Sequence, residues 1–336
     1  MSDIETRNPP DSEVNSISNL YDSGDFLGAE NLCRNLLKTY PDSEVLSNIL
    51  GVVFQAQGKS KEALEAYENA VRKASDYPVG YNNLGFLLNS LGRPEEAIEN
   101  FKKVAELDPE DGDAHNNIGV ILQNLNHHEK ALTYLVKGVT LDPSNSSAYF
   151  NYANSLKATG KNDEALENYN HAVKLHPSFS LAFNNRGNLL ESMGRYEDAR
   201  RSYSRAIDLD PGYAKAYSNR GVVEKKLGNY PGAGRDFTKA TELDPWQPEN
   251  PNEDRNFKFR LYINLGDIQM YFGEYGKALE SYDLAVEIEP EKLDALAFKG
   301  NALAALGNID EGLQLRQKSF GFICFDVSKG VSIIHK

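Results

Sequence analysis

The chain has 336 residues, 40% hydrophobic and 25% charged, a composition that excludes an intrinsically disordered protein. Lys and Arg total 36 against 49 Asp and Glu, and the net charge of -13 argues against nucleic acid or an anionic membrane surface as partner. No apolar run approaches the roughly 18 residues of a membrane span, and the two cysteines are too few for a disulfide framework.

Taken in chain order, residues 1–9 are polar and acidic, lack the basic flank and apolar core of a signal peptide, and are expected to be disordered. With the cysteine usage this predicts a cytoplasmic protein. From Pro10 a 34-residue period sets in. Gly51, Gly85, Gly119, Gly187 and Gly221 share one register, with Ala153 in the same column. Twelve places on stand Ala63, Ala97, Ala131, Ala165, Ala199 and Ala233, and four further Tyr67, Phe101, Leu135, Tyr169, Tyr203 and Phe237. The small residues mark where two antiparallel helices cross; the larger ones are expected to fill the gap between one helix pair and the next. A second glycine column, from Gly24 and Gly58 to Gly307, ends each first helix in a left-handed turn, with Asn126 as its one substitute. Prolines such as Pro109 and Pro143 stop each second helix. Units therefore start at Pro10, Glu44, Pro78, Gly112, Ser146, Ser180, Ala214, Phe259 and Leu293, the ninth degenerate.

The period breaks once. Residues 248–258, with two prolines and five charges, read as an inserted exposed loop. Trp246 at its mouth is expected to pack on a neighbouring helix, with a partner-docking loop as the alternative. After Ser319 two short β-prone runs predict a hairpin-like cap over residues 319–336, covering the last helix pair.

The pattern small–x11–Ala–x3–aromatic, closed by Leu107-Asp108-Pro109, resembles the tetratricopeptide repeat (TPR) family over residues 10 to about 318. The resemblance implies an all-α, right-handed α-solenoid of about nine helix-turn-helix repeats whose first helices line a concave groove. Repeats one to seven would occupy residues 10–247, and repeats eight and nine residues 259–318.

No catalytic constellation is present. The six histidines lack metal-ligand spacing, the glycines are periodic rather than phosphate-binding, and Cys33 falls in the packing column as a small buried hydrophobe. The chain is read as a non-enzyme without metal or cofactor. One series exceeds the needs of a scaffold: Asn83, Asn117, Asn151, Asn185, Asn219 and, after the insertion, Asn264 stand two places before the small residue. Asparagine is a mediocre helix former, so six in register call for a compensating contact. Either the carboxamides bridge neighbouring helices, or they face the groove and grip a peptide main chain with their donors and acceptor. Asn154 and Asn188 lie one turn on, where Val52, Phe86, Val120 and Val222 stand in other units. Lys215, Lys225, Lys226 and Arg260 make the C-terminal groove locally basic, opposed by Glu224 and Asp267.

Such a series is similar to the asparagine ladder of the O-linked N-acetylglucosamine transferase array, without the catalytic domain that follows it there. A chaperone-type carboxylate clamp is not matched, because its lysine is missing from every unit. The sequence thus points to a protein-protein interaction scaffold binding an extended peptide in its groove, with no nucleic-acid or membrane partner. The alternative is an accessory or substrate-recruiting module of a glycosyltransferase-like enzyme on another chain.

Overall fold

The computed structural model describes residues 7–247, 250, 254–320, 322–326 and 330–334, the side chains up to residue 319. Its contacts divide the chain into two compact units, Met1–Leu175 and His176–Lys336.

The first unit holds five helix hairpins: α1(Asp11–Asp22) with α2(Phe26–Thr39), α3(Glu44–Ala56) with α4(Ser60–Lys73), α5(Pro78–Ser90) with α6(Pro94–Leu107), α7(Gly112–Asn124) with α8(His128–Leu141), and α9(Ser146–Ala158) with α10(Asn162–Leu175). The second holds four: α11(Ser180–Ser192) with α12(Tyr196–Leu209), α13(Ala214–Lys226) with α14(Tyr230–Leu243), α15(Arg255–Tyr271) with α16(Tyr275–Ile288), and α17(Leu293–Ala305) with α18(Ile309–Phe320). Each unit is an all-α solenoid in which hairpins stack on their sequence neighbours. The starts of α3, α5, α7, α9, α11, α13 and α17 coincide with the repeat starts read from the sequence.

Local chemistry sets the helix ends. Ser43 Oγ accepts from the Leu46 N–H at 3.0 Å, and Asp111 and Asn145 each accept from the third N–H after them at 2.9 Å. Between paired helices the turn glycines have φ from 73° to 95°, and Asn126 takes their place at 59°.

The large side chain of the packing column lies over the glycine of its own hairpin: a Cβ on Gly51 would come within 2.5 Å of Tyr67, and one on Gly187 within 2.5 Å of Tyr203. The missing Cβ is the seat of the ring, so the glycine is needed for close approach within the pair. Cys33 is fully buried in the same column, and burial pushes its thiol up to about 12, with the Glu30 carboxylate adding to it.

Two segments depart from expectation. Residues 1–6 of the expected disordered N-terminus lie outside the described residues, but Arg7 and Asn8 are tied down. The Arg7 guanidinium donates to the Asp42 and Lys73 carbonyls and pairs with Glu44 at 3.0 Å. Asn8 accepts from Ser43 Oγ at 2.5 Å. The inserted loop is in part helix. First helices elsewhere in the array run to 13 residues, as in α13, but α15 has 17 and begins at Arg255, inside the span read as loop. Asp254 caps it by accepting from the Phe257 N–H at 3.1 Å. Lys258 is 1% exposed and donates to the Asp244 and Pro245 carbonyls just past α14, so one extra turn anchors this helix to the hairpin before it. Residues 248–249 and 251–253 lie outside the described residues. Trp246 packs against Phe259, Tyr262 and Ile288, and its Nε1 donates to Glu287 at 3.0 Å.

At the C-terminus, β1(Phe322–Asp326) pairs antiparallel with β2(Gly330–Ile334) in the register Phe322↔Ile334. The side chains on which a capping role would depend lie outside the described residues.

Candidate functional site

Five of the six asparagines of the shared register have partners, and these are unlike. In the first unit Asn83 Nδ2 donates to Asn48 Oδ1 at 2.9 Å, joining α5 to α3, and Asn151 Nδ2 donates to Asn116 Oδ1 at 3.0 Å, joining α9 to α7. In the second unit Asn219 Nδ2 donates to Asn184 and Asn188, both at 3.0 Å, joining α13 to α11. Asn185 accepts from Asn184 Nδ2 at 3.4 Å. Asn264 Nδ2 donates to the Arg260 carbonyl, one turn back on α15, at 2.9 Å. The compensating contact that a helical asparagine needs is, at Asn83, Asn151 and Asn219, a second carboxamide on the preceding first helix.

Asn154 and Asn188 answer a different demand. Tyr169 and Tyr203 are fully buried, and a buried hydroxyl without an acceptor costs about 1–3 kcal/mol. Tyr169 Oη donates to Asn154 Oδ1 at 2.6 Å, Tyr203 Oη to Asn188 Oδ1 at 2.8 Å, and Tyr282 Oη to Asp267 Oδ1 at 3.1 Å. Where the ring position is Phe101, Leu135 or Phe237, the facing residue is Phe86, Val120 or Val222. Tyr67, opposite Val52, reaches Gln55 instead. Read from the sequence as groove residues, Asn154 and Asn188 are acceptors for their own hairpin's phenol. The signal was there to find, since, Tyr67 aside, polar residues face tyrosines and apolar ones face phenylalanine or leucine.

The basic residues of the second unit are largely neutralised. Lys215 pairs with Asp254 at 2.8 Å, Lys225 with Asp267 at 2.7 Å, and Lys226 with Glu191 at 3.6 Å. The Lys215 ammonium, helped by the Phe257 N–H, holds the Asp254 carboxyl below its ordinary range. Arg260 is exposed on α15. Deeper, Arg220 makes a two-pronged contact with Asp236 at 2.7 and 2.8 Å, which raises its guanidinium above its ordinary value.

One register position keeps an open face. Asn117 on α7 stands 35 residues after Asn82 on α5, the same offset as Asn48 to Asn83 and Asn116 to Asn151, yet these two do not bridge. An open groove of about 420 Å³ lies there instead, with Val79, Asn82 and Phe86 on one wall, Asp113 and Asn117 on the other, and Val104 between them. Among the described residues neither Asn82 nor Asn117 has a hydrogen-bond partner. Phe86 is 49% exposed and Val79 51%, and Phe86 rests edge-on against Phe101 with ring centroids 5.1 Å apart.

Among the described residues no group of three or more His, Cys, Asp or Glu could hold a metal ion. No described helix is long and apolar enough to cross a membrane.

Models of the tetratricopeptide repeat match residues 17–78, 78–111, 100–133, 134–167, 214–245 and 259–292, and a TPR repeat model matches 153–194 and 187–228. The chain belongs to the tetratricopeptide repeat family. Among solved structures, a tetratricopeptide repeat protein from Parabacteroides merdae shares 21% identity, with 76% of this chain and 98% of that one covered and a TM-score of 0.56. PilF from Pseudomonas aeruginosa shares 22%, with 62% and 89% covered and a TM-score of 0.52. Both likenesses concern the fold. No curated protein matches the chain in sequence. TPR arrays are protein-interaction scaffolds, and this chain is a scaffold of that kind.

Proposed function

We propose that this TPR protein holds an extended peptide segment of a partner protein along the first helices of residues 1–175, centred on the α5/α7 groove. The observation that carries the reading is the pair Asn82 and Asn117. At equivalent interfaces the same offset is spent on a helix-to-helix bond; here both carboxamides face an open groove beside half-exposed Phe86 and Val79. A carboxamide offers two donors and an acceptor, matching the N–H and C=O of an extended main chain.

The energetics set the affinity. Each hydrogen bond nets about 0.5–1.5 kcal/mol, and a buried aliphatic or aromatic side chain adds about 1.5–3 kcal/mol. Ordering each peptide residue costs roughly 1–2 kcal/mol, so carboxamides alone do not suffice. Both contact types together support micromolar binding, about -8 kcal/mol.

Photo-crosslinking tests the reading. Benzoylphenylalanine placed at Phe86 should capture the partner, whereas the same probe at exposed Glu99 on α6 should not. The double variant Asn82→Ala/Asn117→Ala should lower capture at position 86 with unchanged helicity. Equal capture at both positions, or none at 86, would overturn it.

A further inference from the structure

We infer that the α5/α7 groove selects a segment in which a bulky apolar side chain stands beside a lysine or arginine. This rests on the peptide reading above and adds the chemistry of what is bound.

The apolar half follows from the groove's floor and walls. Val104 is 2% exposed, and together with Val79 and Phe86 it forms a recess that a main chain alone would leave unfilled. The cationic half follows from the charges around it. Asp111 and Asp113 line the same groove, and no Lys, Arg or His does. Each carboxylate has one contact among the described residues. Asp111 Oδ1 accepts from the Ala114 N–H at 2.9 Å, and Asp113 Oδ1 accepts from Asn145 Nδ2 at 2.8 Å. Neither is ion-paired among those residues. The nearby lysines of α6 are committed elsewhere, Lys102 to Glu99 at 2.7 Å and Lys103 to Glu106 at 3.0 Å. The positive end of α7 offsets only about half a charge of the two. The groove end is therefore net negative, in a chain whose overall charge of -13 draws cations from a distance. An acidic side chain at that end would meet two carboxylates with nothing to pair it.

The test uses the full chain and a displayed library of random peptides about twelve residues long, which at roughly 3.3 Å each reach well past two helices about 10 Å apart. Enriched peptides should share an apolar residue within one or two positions of Lys or Arg. Synthetic copies should lose about tenfold in affinity when that Lys or Arg becomes Glu, and several-fold between low and high salt. The double variant Asp111→Asn/Asp113→Asn keeps the helix cap, since asparagine caps as well as aspartate; it should remove the preference for the cation and leave the apolar one. Phe86→Ala should remove the apolar preference. Enriched peptides without a basic residue, or an unchanged preference in the Asp→Asn variant, would overturn this inference while leaving the peptide reading standing. Failure to enrich any peptide would remove both.

Discussion

At the scale of single residues, a polar atom carried into the interior of a helix pair costs free energy unless it finds a partner there. Tyr203 is the test case. Its hydroxyl donates to Asn188 at 2.8 Å and approaches Glu191 at 3.2 Å, and burial pushes the phenol well above its ordinary range. Asn188→Val should therefore destabilise by about 1–3 kcal/mol. Adding Tyr203→Phe should recover the share of that loss due to the phenol, because the pair then copies the natural Val222–Phe237 pair, while the bond from Asn219 to Asn188 stays lost. A double-mutant cycle in urea measures the coupling, and additive losses would show that the bond contributes nothing. Cys33 gives a second check. Burial pushes its thiol up to about 12, so at pH 8 nearly all of it is protonated. In a Cys324→Ser background, a disulfide reagent should label Cys33 only once denaturant opens the first hairpins. Rapid stoichiometric labelling of the native chain would contradict its burial.

Among elements, α15 carries the sharpest prediction. Lys258 lies within it, buried against the carbonyls that follow α14 and paired with Asp244 at 2.6 Å. Lys258→Met leaves those carbonyls without a donor and should destabilise the α14–α15 junction by about 1–3 kcal/mol. Hydrogen exchange should show the loss at the end of α14 and the start of α15, and uniform protection would refute it. Deleting residues 248–258 should likewise be costly, because it removes this anchor as well as a connector. The helix pairs themselves were legible in the sequence, since sterics and backbone conformation write them in single letters: glycine under a ring, glycine or Asn126 at positive φ, proline past a helix end. The extra turn of α15 was hidden because prolines and charges resemble a loop, and nothing in Lys258 itself announces burial. The destinations of Asn83, Asn151 and Asn219 were hidden for another reason. Which neighbour a carboxamide meets depends on how far adjacent first helices stand apart, and the open face at Asn82 and Asn117 exists only at that level.

For the whole molecule, helices within each unit touch mainly the partner of their own hairpin and then the adjacent hairpin, so unfolding need not be concerted. Trp246 is the only tryptophan and packs within the second unit. Its fluorescence should report residues around α15 and α16, while circular dichroism reports every helix. The two denaturation midpoints are expected to differ, and coincident curves would show a single cooperative transition. The tyrosine–polar pairs have a consequence for how such an array can be inherited. Each phenol and its acceptor sit on the two helices of one hairpin, so a recombination crossover at a proline junction keeps them together. A crossover at a glycine turn separates them. Exchanging α12 with α14 would set Tyr203 against Val222 and Phe237 against Asn188, stranding a hydroxyl in one hairpin and leaving a carboxamide without its phenol in the other, although both helices would still satisfy every periodic column. Whole hairpins can be shuffled as words; single helices cannot, because the spelling of each half presumes the other.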